Sequence, residues 1–229
     1  MEYHNPVLLN ESIEGLNIKP TGIYVDVTFG GGGHSKLILE KLKGGKLFAF
    51  DQDEKTKEND IKNDDFKLIH ANFRYLKRLL RMEGVKKIDG LLADLGVSSH
   101  QFDVAERGFS TRFEGELDMR MNPKSDLSAK EIVNDYSEEN LANILYKYGE
   151  LKNSRRIAKE IVNARQVAKI NTTTELIVVV AKIVPEKYRN QFLARIFQAI
   201  RIEVNDEIVA LEEMLLSAVD MLNPGGRLV

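Results

Sequence analysis

Four short apolar runs in the first part of the chain have the length and composition of buried β-strands. They are rich in Val, Ile, Phe and Leu, and they occupy residues 22–28, 46–50, 66–70 and 88–93. Polar or amphipathic segments that suit helices separate them, at residues 35–43, 53–65 and 74–82. Strands that alternate with helices of about ten residues are typical of βαβ units, whose strands are parallel. The pattern therefore predicts an α/β fold built on a doubly wound parallel sheet.

The alternation of strands and helices stops after Asp94. A loop rich in Gly, Ser and Arg follows over residues 96–123, and the pattern is then mostly helical as far as Leu222. Short polar side chains predict helix N-caps at Asp126, at Ser137 and within residues 171–174. A helical period of apolar residues covers residues 190–222. We therefore predict an all-helical insertion, residues 104–190, between the fourth strand and the helix that leads to the fifth.

The end of the sequence predicts a turn and a new strand. Residues 223–226 read Asn-Pro-Gly-Gly, and Arg-Leu-Val follows at residues 227–229. We assign residues 1–103 and 191–229 to one α/β domain and residues 104–190 to a helical domain. A sheet that ended at Val229 would leave an edge of unpaired backbone groups. We therefore expect the first domain to be incomplete, with further strands beyond Val229.

The amino-acid composition mainly excludes certain kinds of site and certain classes of protein. Of the 229 residues, 43% are hydrophobic, 30% are charged and none is cysteine. The chain therefore has no disulfide, no thiolate metal site and no cysteine nucleophile. The longest apolar stretch, residues 176–184, is short and interrupted by Lys182, and the first six residues lack the pattern of a secretory signal. We expect a soluble cytoplasmic protein with no membrane segment, and the four histidines form no recognisable metal site.

Charge is unevenly distributed although the net charge is only −2. Residues 147–201 contain twelve Lys and Arg and four Glu, a local charge of 12 − 4 = +8, so the remainder carries −10. Such a segment is either a solvated helix face or an electrostatic contact for a phosphate-rich partner. The sequence alone leaves both alternatives open.

A glycine cluster follows the first predicted strand. The segment reads Asp26-Val-Thr-Phe-Gly30-Gly-Gly-Gly-His34-Ser35 and stands between a strand and a helix. Glycines allow a tight turn and a close approach to a ligand, here at the carboxyl ends of parallel strands. Asp51 ends the next strand, where a carboxylate can accept hydrogen bonds from ribose hydroxyls. Together these features indicate a nucleoside-containing cofactor, although a generic tight turn is the alternative.

The details of the motif favour S-adenosylmethionine among such cofactors. No Gly-Lys-Ser/Thr follows the glycines, so the segment is not a P-loop, and Ser35 stands where a dinucleotide-binding motif has its third glycine. The acid within the glycine motif, Asp26, is typical of S-adenosylmethionine enzymes. There it anchors the loop or the amino-acid end of the cofactor. Phe73, after the third strand, either stacks on adenine or belongs to the core.

A second polar segment, Asp94-Leu-Gly-Val-Ser98-Ser-His-Gln101, follows the fourth predicted strand. It would lie beside the reactive end of a cofactor bound at the first βα turn. The lone pair of an exocyclic amine such as cytosine N4 is delocalised, and an acceptor such as Asp94 would favour the attacking form of the nitrogen. The alternative is that Asp94 caps the next element. Methylation of pyrimidine C5 needs a thiolate, so the lack of cysteine favours a nitrogen or oxygen target.

At this point the sequence resembles the bacterial small-subunit (16S) ribosomal RNA cytosine-N4 methyltransferases of the MraW type. The blocks that carry the resemblance recur in order along the whole chain: His4-Asn-Pro-Val-Leu-Leu, Thr28-Phe-Gly-Gly-Gly-Gly-His34-Ser35, Ile88-Asp-Gly-Leu-Leu-Ala-Asp94-Leu-Gly-Val-Ser-Ser99, Ala105-Glu-Arg107-Gly-Phe-Ser, Leu117-Asp118-Met-Arg120-Met, Tyr148-Gly-Glu, residues 172–175, and Phe197-Gln-Ala-Ile-Arg201-Ile-Glu-Val-Asn205. The blocks at 94–99 and 117–121 are far more specific than a glycine loop. The family continues beyond the matched region with a Ser-Phe-His-Ser-Leu-Glu-Asp stretch near the active site.

The resemblance implies a Rossmann-like class I methyltransferase domain and a helical insertion that recognises the substrate. It implies methylation of N4 of one cytidine in the decoding region of small-subunit ribosomal RNA. The residues it implies for S-adenosyl-L-methionine are Gly32, Gly33, His34, Asp51, Phe73, Asp94 and Gln101. Those it places near the target base are Arg107, Asp118 and Arg120, for which a structural ion-pair network is the alternative. We predict Asp94 and Ser98 as the catalytic residues.

Two other functions remain to be distinguished from this one. A nicotinamide-dependent oxidoreductase is disfavoured by Ser35 and by the block at residues 94–99. A non-catalytic RNA-binding or assembly factor on the same fold would also use the basic segment, and it predicts RNA binding that is indifferent to Asp94. The expected partner is small-subunit ribosomal RNA, in the assembled subunit, and a homodimer is left open.

Overall fold

A computed structural model of the chain describes residues 6–183 and 186–229. The five strands are β1 Ile23–Asp26, β2 Lys46–Asp51, β3 Phe66–His70, β4 Ile88–Leu92 and β5 Leu222–Leu228. The α-helices are α1 Leu9–Leu16, α2 Gly33–Lys41, α3 Leu76–Met82, α4 Ser99–Asp103, α5 Ala129–Asp135, α6 Glu138–Lys147, α7 Ser154–Val167, α8 Thr173–Ala181, α9 Arg189–Asn205 and α10 Glu207–Met221. Short 3₁₀ helices occupy Glu54–Asn59, Phe73–Tyr75, Ala105–Arg107 and Glu186–Tyr188. The start of the first motif, His4 and Asn5, lies outside the described residues.

The strands form one parallel sheet in the order β3-β2-β1-β4-β5. This order, with β1 in the middle and crossovers to both sides, is that of a doubly wound Rossmann-like sheet. The α/β fold predicted from the sequence is therefore confirmed. The end of β2 pairs with the end of β3, at Asp51 and His70, and the end of β1 pairs with Leu92 of β4.

Alternate residues of the central strands point to opposite faces of the sheet, because side chains in a strand have a period of two. Val25, Phe48 and Phe50 join a buried cluster with α3 and α10, whereas Tyr24 and Leu47 join one with α1 and α2. Both faces are covered by helices, which is why these strands read as continuous apolar runs. Because these two clusters pack helices against both faces, they fix the positions of the strands and of the edge at which the strands end.

The final strand differs from its prediction in one respect. The Asn-Pro-Gly-Gly segment, residues 223–226, lies within β5 and forms an irregularity in it. Leu222 is paired with Ile88 and Arg227 with Gly90, so four residues bulge opposite the single residue Asp89. Gly225 has a φ of 79°, a conformation that glycine adopts at little cost. The predicted turn is therefore present as a bulge, but the strand begins before it, at Leu222, and not after it, at Arg227.

The chain divides into two compact units, residues 1–98 with 208–229 and residues 99–207. The sequence placed the boundaries of the helical insertion at 104 and 190 instead. The difference at the second boundary has a local cause. The predicted continuous helix over 190–222 is interrupted at Asp206, whose φ of 50° ends α9 before α10 begins. The long helix α9 belongs to the helical unit, and most of α10 belongs to the unit with the sheet.

Helix starts in the helical unit follow from their caps. Ser137 and Thr172 are N-caps, as predicted, and each accepts a backbone N–H three residues on. Asp126 does not cap a helix. Ser128 caps α5 instead, because it forms a capping box with Glu131. Across residues 6–183 and 186–229, no helix is both long and apolar enough to cross a membrane.

Candidate functional site

Three acidic residues stand where neighbouring strands of the sheet end. Asp26 ends β1, Asp51 ends β2, and Asp94 follows the end of β4 by two residues. Since the strands are parallel, their carboxyl ends meet at one edge of the sheet. Hydrogen bonds through the glycine loop connect all three acids, so this edge is the candidate site.

The glycine loop is a tight turn between β1 and α2. Phe29 N–H donates to the Phe50 carbonyl at 3.0 Å, and Gly32 N–H donates to the Phe29 carbonyl at 2.7 Å. Gly30 and Gly32 have φ values of 50° and 76°, which side chains disfavour. A Cβ on Gly32 would also lie 3.0 Å from the Phe29 ring, and one on Gly33 would collide with Pro6. Only glycine therefore fits at these two positions, where Phe29 and Pro6 pack directly against the backbone.

Asp26 holds the glycine loop in place through hydrogen bonds. Its side chain is fully buried. One carboxylate oxygen accepts hydrogen bonds from Thr28 N–H at 3.0 Å and from the Thr28 hydroxyl, and the other accepts the Ser35 hydroxyl at 2.7 Å. Burial raises the pKa of Asp26. Of the two roles open to this acid, its contacts are those of a loop anchor.

Asp51 is only partly buried and keeps acceptor capacity. One carboxylate oxygen accepts the Gly30 N–H at 2.9 Å and the other accepts the Asp53 N–H at 2.9 Å. A carboxylate has about four acceptor positions, so two backbone donors leave room for two more. Burial raises the pKa of Asp51 to about 6, against the opposing effect of those backbone donors. This carboxylate is therefore a ready acceptor for ligand hydroxyls.

Asp94 is exposed, at the mouth of the same edge. Its backbone N–H donates to the Thr28 hydroxyl oxygen at 2.8 Å. Because Thr28 also bonds Asp26, this side chain joins the loop after β1 to the loop after β4. Ser98 lies further along the Asp94 loop and is half-buried. No role was predicted for Thr28, because only the folded chain shows that its hydroxyl joins the loops after β1 and β4.

The loop after β3 carries Phe73 to the same edge of the sheet. Asn72 caps the 3₁₀ turn that begins at Phe73, and its amide donates to the Gln52 side chain at 3.0 Å. Gln52 follows Asp51, so this bond fixes the β3 loop beside the β2 loop. Phe73 is half-buried and packs against the core cluster on the α3 side. The core contacts of Phe73 agree with a structural role, and the exposed part of its ring leaves room for stacking on adenine.

His34 begins α2 after the glycine turn and is 5% exposed. Its ring nitrogen Nε2 is buried without a hydrogen-bond partner in the described part of the chain. An unsatisfied buried polar atom costs free energy. His34 directly follows the glycines of the loop, so it belongs to the candidate site.

The remaining predicted residues lie in the helical unit. Gln101 is buried in α4. The Arg107 guanidinium donates to the carbonyls of Arg120 and Met121, at 2.9 and 3.3 Å. Arg120 forms a forked ion pair with Asp118, with an Nη2 to Oδ2 distance of 2.6 Å, and this pair raises the pKa of Arg120. The structure therefore brings Arg107, Asp118 and Arg120 together in one braced loop.

Asn205 holds that loop and was not predicted to do so. Its side-chain oxygen accepts the Met121 N–H at 2.7 Å, and its amide donates to the carbonyls of Met119 and Arg201, at 2.8 and 2.9 Å. Met119 needs this support because its φ is 59°. Asn205 ends the block of residues 197–205 that carries the family resemblance, but no local sequence pattern indicates a contact with a loop more than eighty residues away.

The doubly wound sheet, the tight glycine turn after β1 and the acids at the ends of β2 and β4 define a Rossmann-like methyltransferase. The chain belongs to the MraW methylase family, whose model matches residues 1–229. Membership of a methylase family implies S-adenosylmethionine as methyl donor.

Relatives with established names are similar over nearly the whole chain. Proteins named ribosomal RNA small subunit methyltransferase H are 59% identical in Flavobacterium johnsoniae, over 99% of this chain and 76% of theirs, and 56% identical in Christiangramia forsetii, over 100% and 76%. The protein of that name from Phocaeicola vulgatus is 55% identical, over 99% of this chain and 75% of its own. The family and the enzyme class predicted from the sequence are confirmed.

Proposed function

We propose that this chain transfers a methyl group from S-adenosyl-L-methionine to N4 of a cytidine in small-subunit ribosomal RNA. The observation that carries the proposal is the edge of the sheet where the glycine loop, Asp51 and the exposed Asp94 meet. The names of the relatives support ribosomal RNA of the small subunit as substrate. The cytidine target rests on the motifs of residues 94–99 and 117–121 and on the absence of cysteine.

The residues present at the edge fit the cofactor. Asp51 has spare acceptor positions for the ribose hydroxyls, and Gly32 and Gly33 form the tight turn that leads from β1 into α2 beside it. His34 Nε2 lacks a partner among the described residues, and Phe73 offers part of a ring for an adenine base. We assign these residues to the cofactor. Asp94 and Gln101 complete the set expected from the sequence.

The chemistry asks little of the protein beyond positioning and one acceptor. When bound, the cofactor supplies an electrophilic methyl group on a sulfonium centre. The carboxylate of Asp94 accepts a hydrogen bond from the cytosine amine, which favours the pyramidal nitrogen whose lone pair can attack. The same carboxylate can take the proton that N4 loses. The bond from its backbone N–H to Thr28 holds it in place.

Ser98 is the second catalytic candidate and shares the loop of Asp94. For Arg107, Asp118 and Arg120, the internal bonds of the braced loop support a positioning role. We propose that this loop presents a fixed surface to the RNA. The helical unit, residues 99–207, then serves as the substrate-recognition domain.

Separating turnover from RNA binding tests the proposal. Asp94→Ala is expected to lower kcat on undermethylated small subunits by at least about a hundredfold, the usual contribution of a positioned acid or base. Binding of 16S ribosomal RNA should change less than about twofold, because one carboxylate adds nothing to phosphate contacts. Ser98→Ala, on the same loop, should give a smaller loss of kcat.

Two outcomes would contradict the proposal. If Asp94→Ala kept its turnover, Asp94 would not be the acceptor. If the unaltered protein bound RNA but transferred no methyl group to naked RNA or to assembled subunits, the chain would act as a non-catalytic RNA-binding factor. Comparing the two substrates also tests whether the assembled subunit is the target.

A further inference from the structure

The basic segment, residues 147–201, separates into two groups once the contacts of its side chains are considered. The guanidinium of Arg165 donates to the carbonyls of Val133 and Tyr136, at 2.8 and 2.6 Å. The other basic residues with partners pair with acids or lie over tyrosine rings: Arg189 with Glu186, Arg195 with Glu150, Arg201 with Glu207, Lys147 over Tyr148 and Lys187 over Tyr188. These six cations have partners within the helical unit.

The other six basic residues have no such partner among the described residues: Lys169 and Lys182 follow the ends of α7 and α8, and the remaining four lie along the start of α7 and just before it. Lys152, Arg155, Arg156 and Lys159 are exposed, and no acid of the described ranges, 6–183 and 186–229, lies within 4.0 Å of them. We call these four the cationic stripe. Three of them belong to α7, and Lys152 precedes it by two residues.

The geometry of α7 places the cationic stripe directly away from the core. Arg155, Arg156 and Lys159 share one face of α7, and Lys152, in the turn before the helix, continues their i, i+3, i+4 and i+7 spacing. The buried residues of the helix repeat the same spacing two positions later: Ser154, Ile157, Ala158 and Ile161. Two residues correspond to about 200° around a helix, so the two faces are opposed. Packing of α7 therefore keeps the stripe on the outside of the helical unit.

This arrangement is unfavourable for the protein alone. Like charges three and four residues apart on a helix repel one another. Of the nearest acids in sequence, Glu150 pairs with Arg195, and Glu160 forms no ion pair with the stripe. The three members within α7 span about 6 Å along the helix axis, and Lys152 extends the stripe beyond the start of the helix, so the stripe covers more than one phosphate of a nucleic-acid strand. An extended polyanion would offset the repulsion, whereas a single small anion would not.

We propose that the cationic stripe binds the phosphate backbone of the RNA substrate. This inference rests on the proposed function and narrows it, since it assigns the backbone contact to four of the twelve basic residues in the segment. Asn163 and Gln166 extend the same face with exposed amide groups that can donate to sugar or phosphate oxygens. Contacts of this kind fix the position of the RNA and carry no sequence information.

The test replaces the stripe by neutral side chains of similar length. A variant with K152Q, R155Q, R156Q and K159Q is compared with a control that has K41Q, K43Q, K46Q and K86Q. The control lysines are exposed, lie near the amino ends of the strands, and change the net charge equally. Binding of transcribed 16S ribosomal RNA is measured between about 50 and 200 mM salt.

The stripe variant should bind RNA at least about tenfold more weakly at about 0.1 M salt, and the slope of log K against log salt should fall by about 3, or about 0.7 per lost contact. The control should shift affinity by less than about twofold. Exchanging lysine and arginine within the stripe (K152R, R155K, R156K and K159R) should keep the slope. For methylation of small subunits, the stripe variant should raise KM and leave kcat and the affinity for S-adenosylmethionine unchanged.

The inference fails if the stripe variant keeps the salt slope and KM of the unaltered protein, or if the control loses as much affinity as the stripe variant. A loss of RNA binding that also lowers the unfolding temperature would count against it as well, because these exposed side chains should not support the fold. Failure of the proposed function looks different, since the unaltered protein would then methylate no RNA at all.

Discussion

At the level of single residues, the carboxylate of Asp51 shows how burial and ligand binding are linked. Two backbone N–H groups favour its charged form, yet burial outweighs them and raises the pKa to about 6. The charged form is the one that accepts hydrogen bonds from hydroxyl groups through both oxygens. Protonation and cofactor binding therefore compete for this side chain.

The competition predicts a pH dependence of S-adenosylmethionine affinity. Binding should be constant above the pKa of about 6 and weaken as the pH falls below it, because the free protein must first lose a proton from Asp51. At about pH 5 the affinity should be about tenfold lower than at about pH 7. Calorimetric titration of the cofactor at several pH values measures this.

The matched control is Asp51→Asn, which has a similar shape and no titration. Its affinity should be lower at neutral pH, because the amide replaces one acceptor oxygen by a donor, and it should not vary with pH between about 5 and 7. A variant that kept the pH profile of the unaltered protein would show that another group is responsible.

Ser35 offers a second prediction at this scale. Its hydroxyl donates to the buried carboxylate of Asp26 at 2.7 Å. Ser35→Ala leaves that carboxylate with fewer donors and should lower the free energy of unfolding by about 1–3 kcal/mol. Urea unfolding measures the change. Ser217→Ala, at a half-buried position in α10, should change stability by less than about 0.5 kcal/mol, and equal effects of the two variants would contradict the anchoring role of Asp26.

At the level of elements, the loop that carries Asp118 and Arg120 depends on α9. Asn205, at the end of that helix, makes three hydrogen bonds, two of them to the loop. Asn205→Ala should lower kcat for RNA methylation and cost about 1–3 kcal/mol of stability, because loop N–H and C=O groups lose their partner. Cofactor affinity should not change. Gln191→Ala, exposed near the start of α9, is the control, and a matching loss of kcat there would refute the argument.

Elements that depend on local patterns could be predicted from the sequence, and those that depend on tertiary contacts could not. Strand β3 has its predicted bounds, since its Phe, Leu and Ile form a short β-prone run between polar segments. The break at Asp206 was missed because one left-handed residue interrupts the backbone without disturbing the helical period around it. The cap at Ser128 was missed because Asp126, two residues earlier, is an equally good capping residue.

The site divides in the same way. The position of Asp51 and Asp94 at one edge of the sheet could be predicted because strand ends can be read from the sequence, and parallel strands bring their ends together. The roles of Thr28 and Asn205 depend on hydrogen bonds to residues distant in the chain, which no local pattern encodes. For Arg107 and Arg120, the sequence left substrate contact and an internal network as alternatives, and the structure supplies the internal bonds.

At the level of the whole molecule, the two compact units divide the labour that the proposed function requires. The unit with the sheet holds the glycine loop and the three acids, and the helical unit holds the basic segment. Catalysis and RNA binding should therefore respond to different substitutions. Asp94→Ala should act on kcat, and neutralising the cationic stripe should act on KM.

The most direct test of this account is to follow a labelled methyl group. The protein is incubated with labelled S-adenosylmethionine and undermethylated small ribosomal subunits, and the RNA is digested to nucleosides. The account predicts label in N4-methylcytidine, at a rate at least about a hundredfold lower when Asp94→Ala replaces the unaltered protein. Label in another nucleoside, or no label from a folded protein that binds the cofactor, would contradict it.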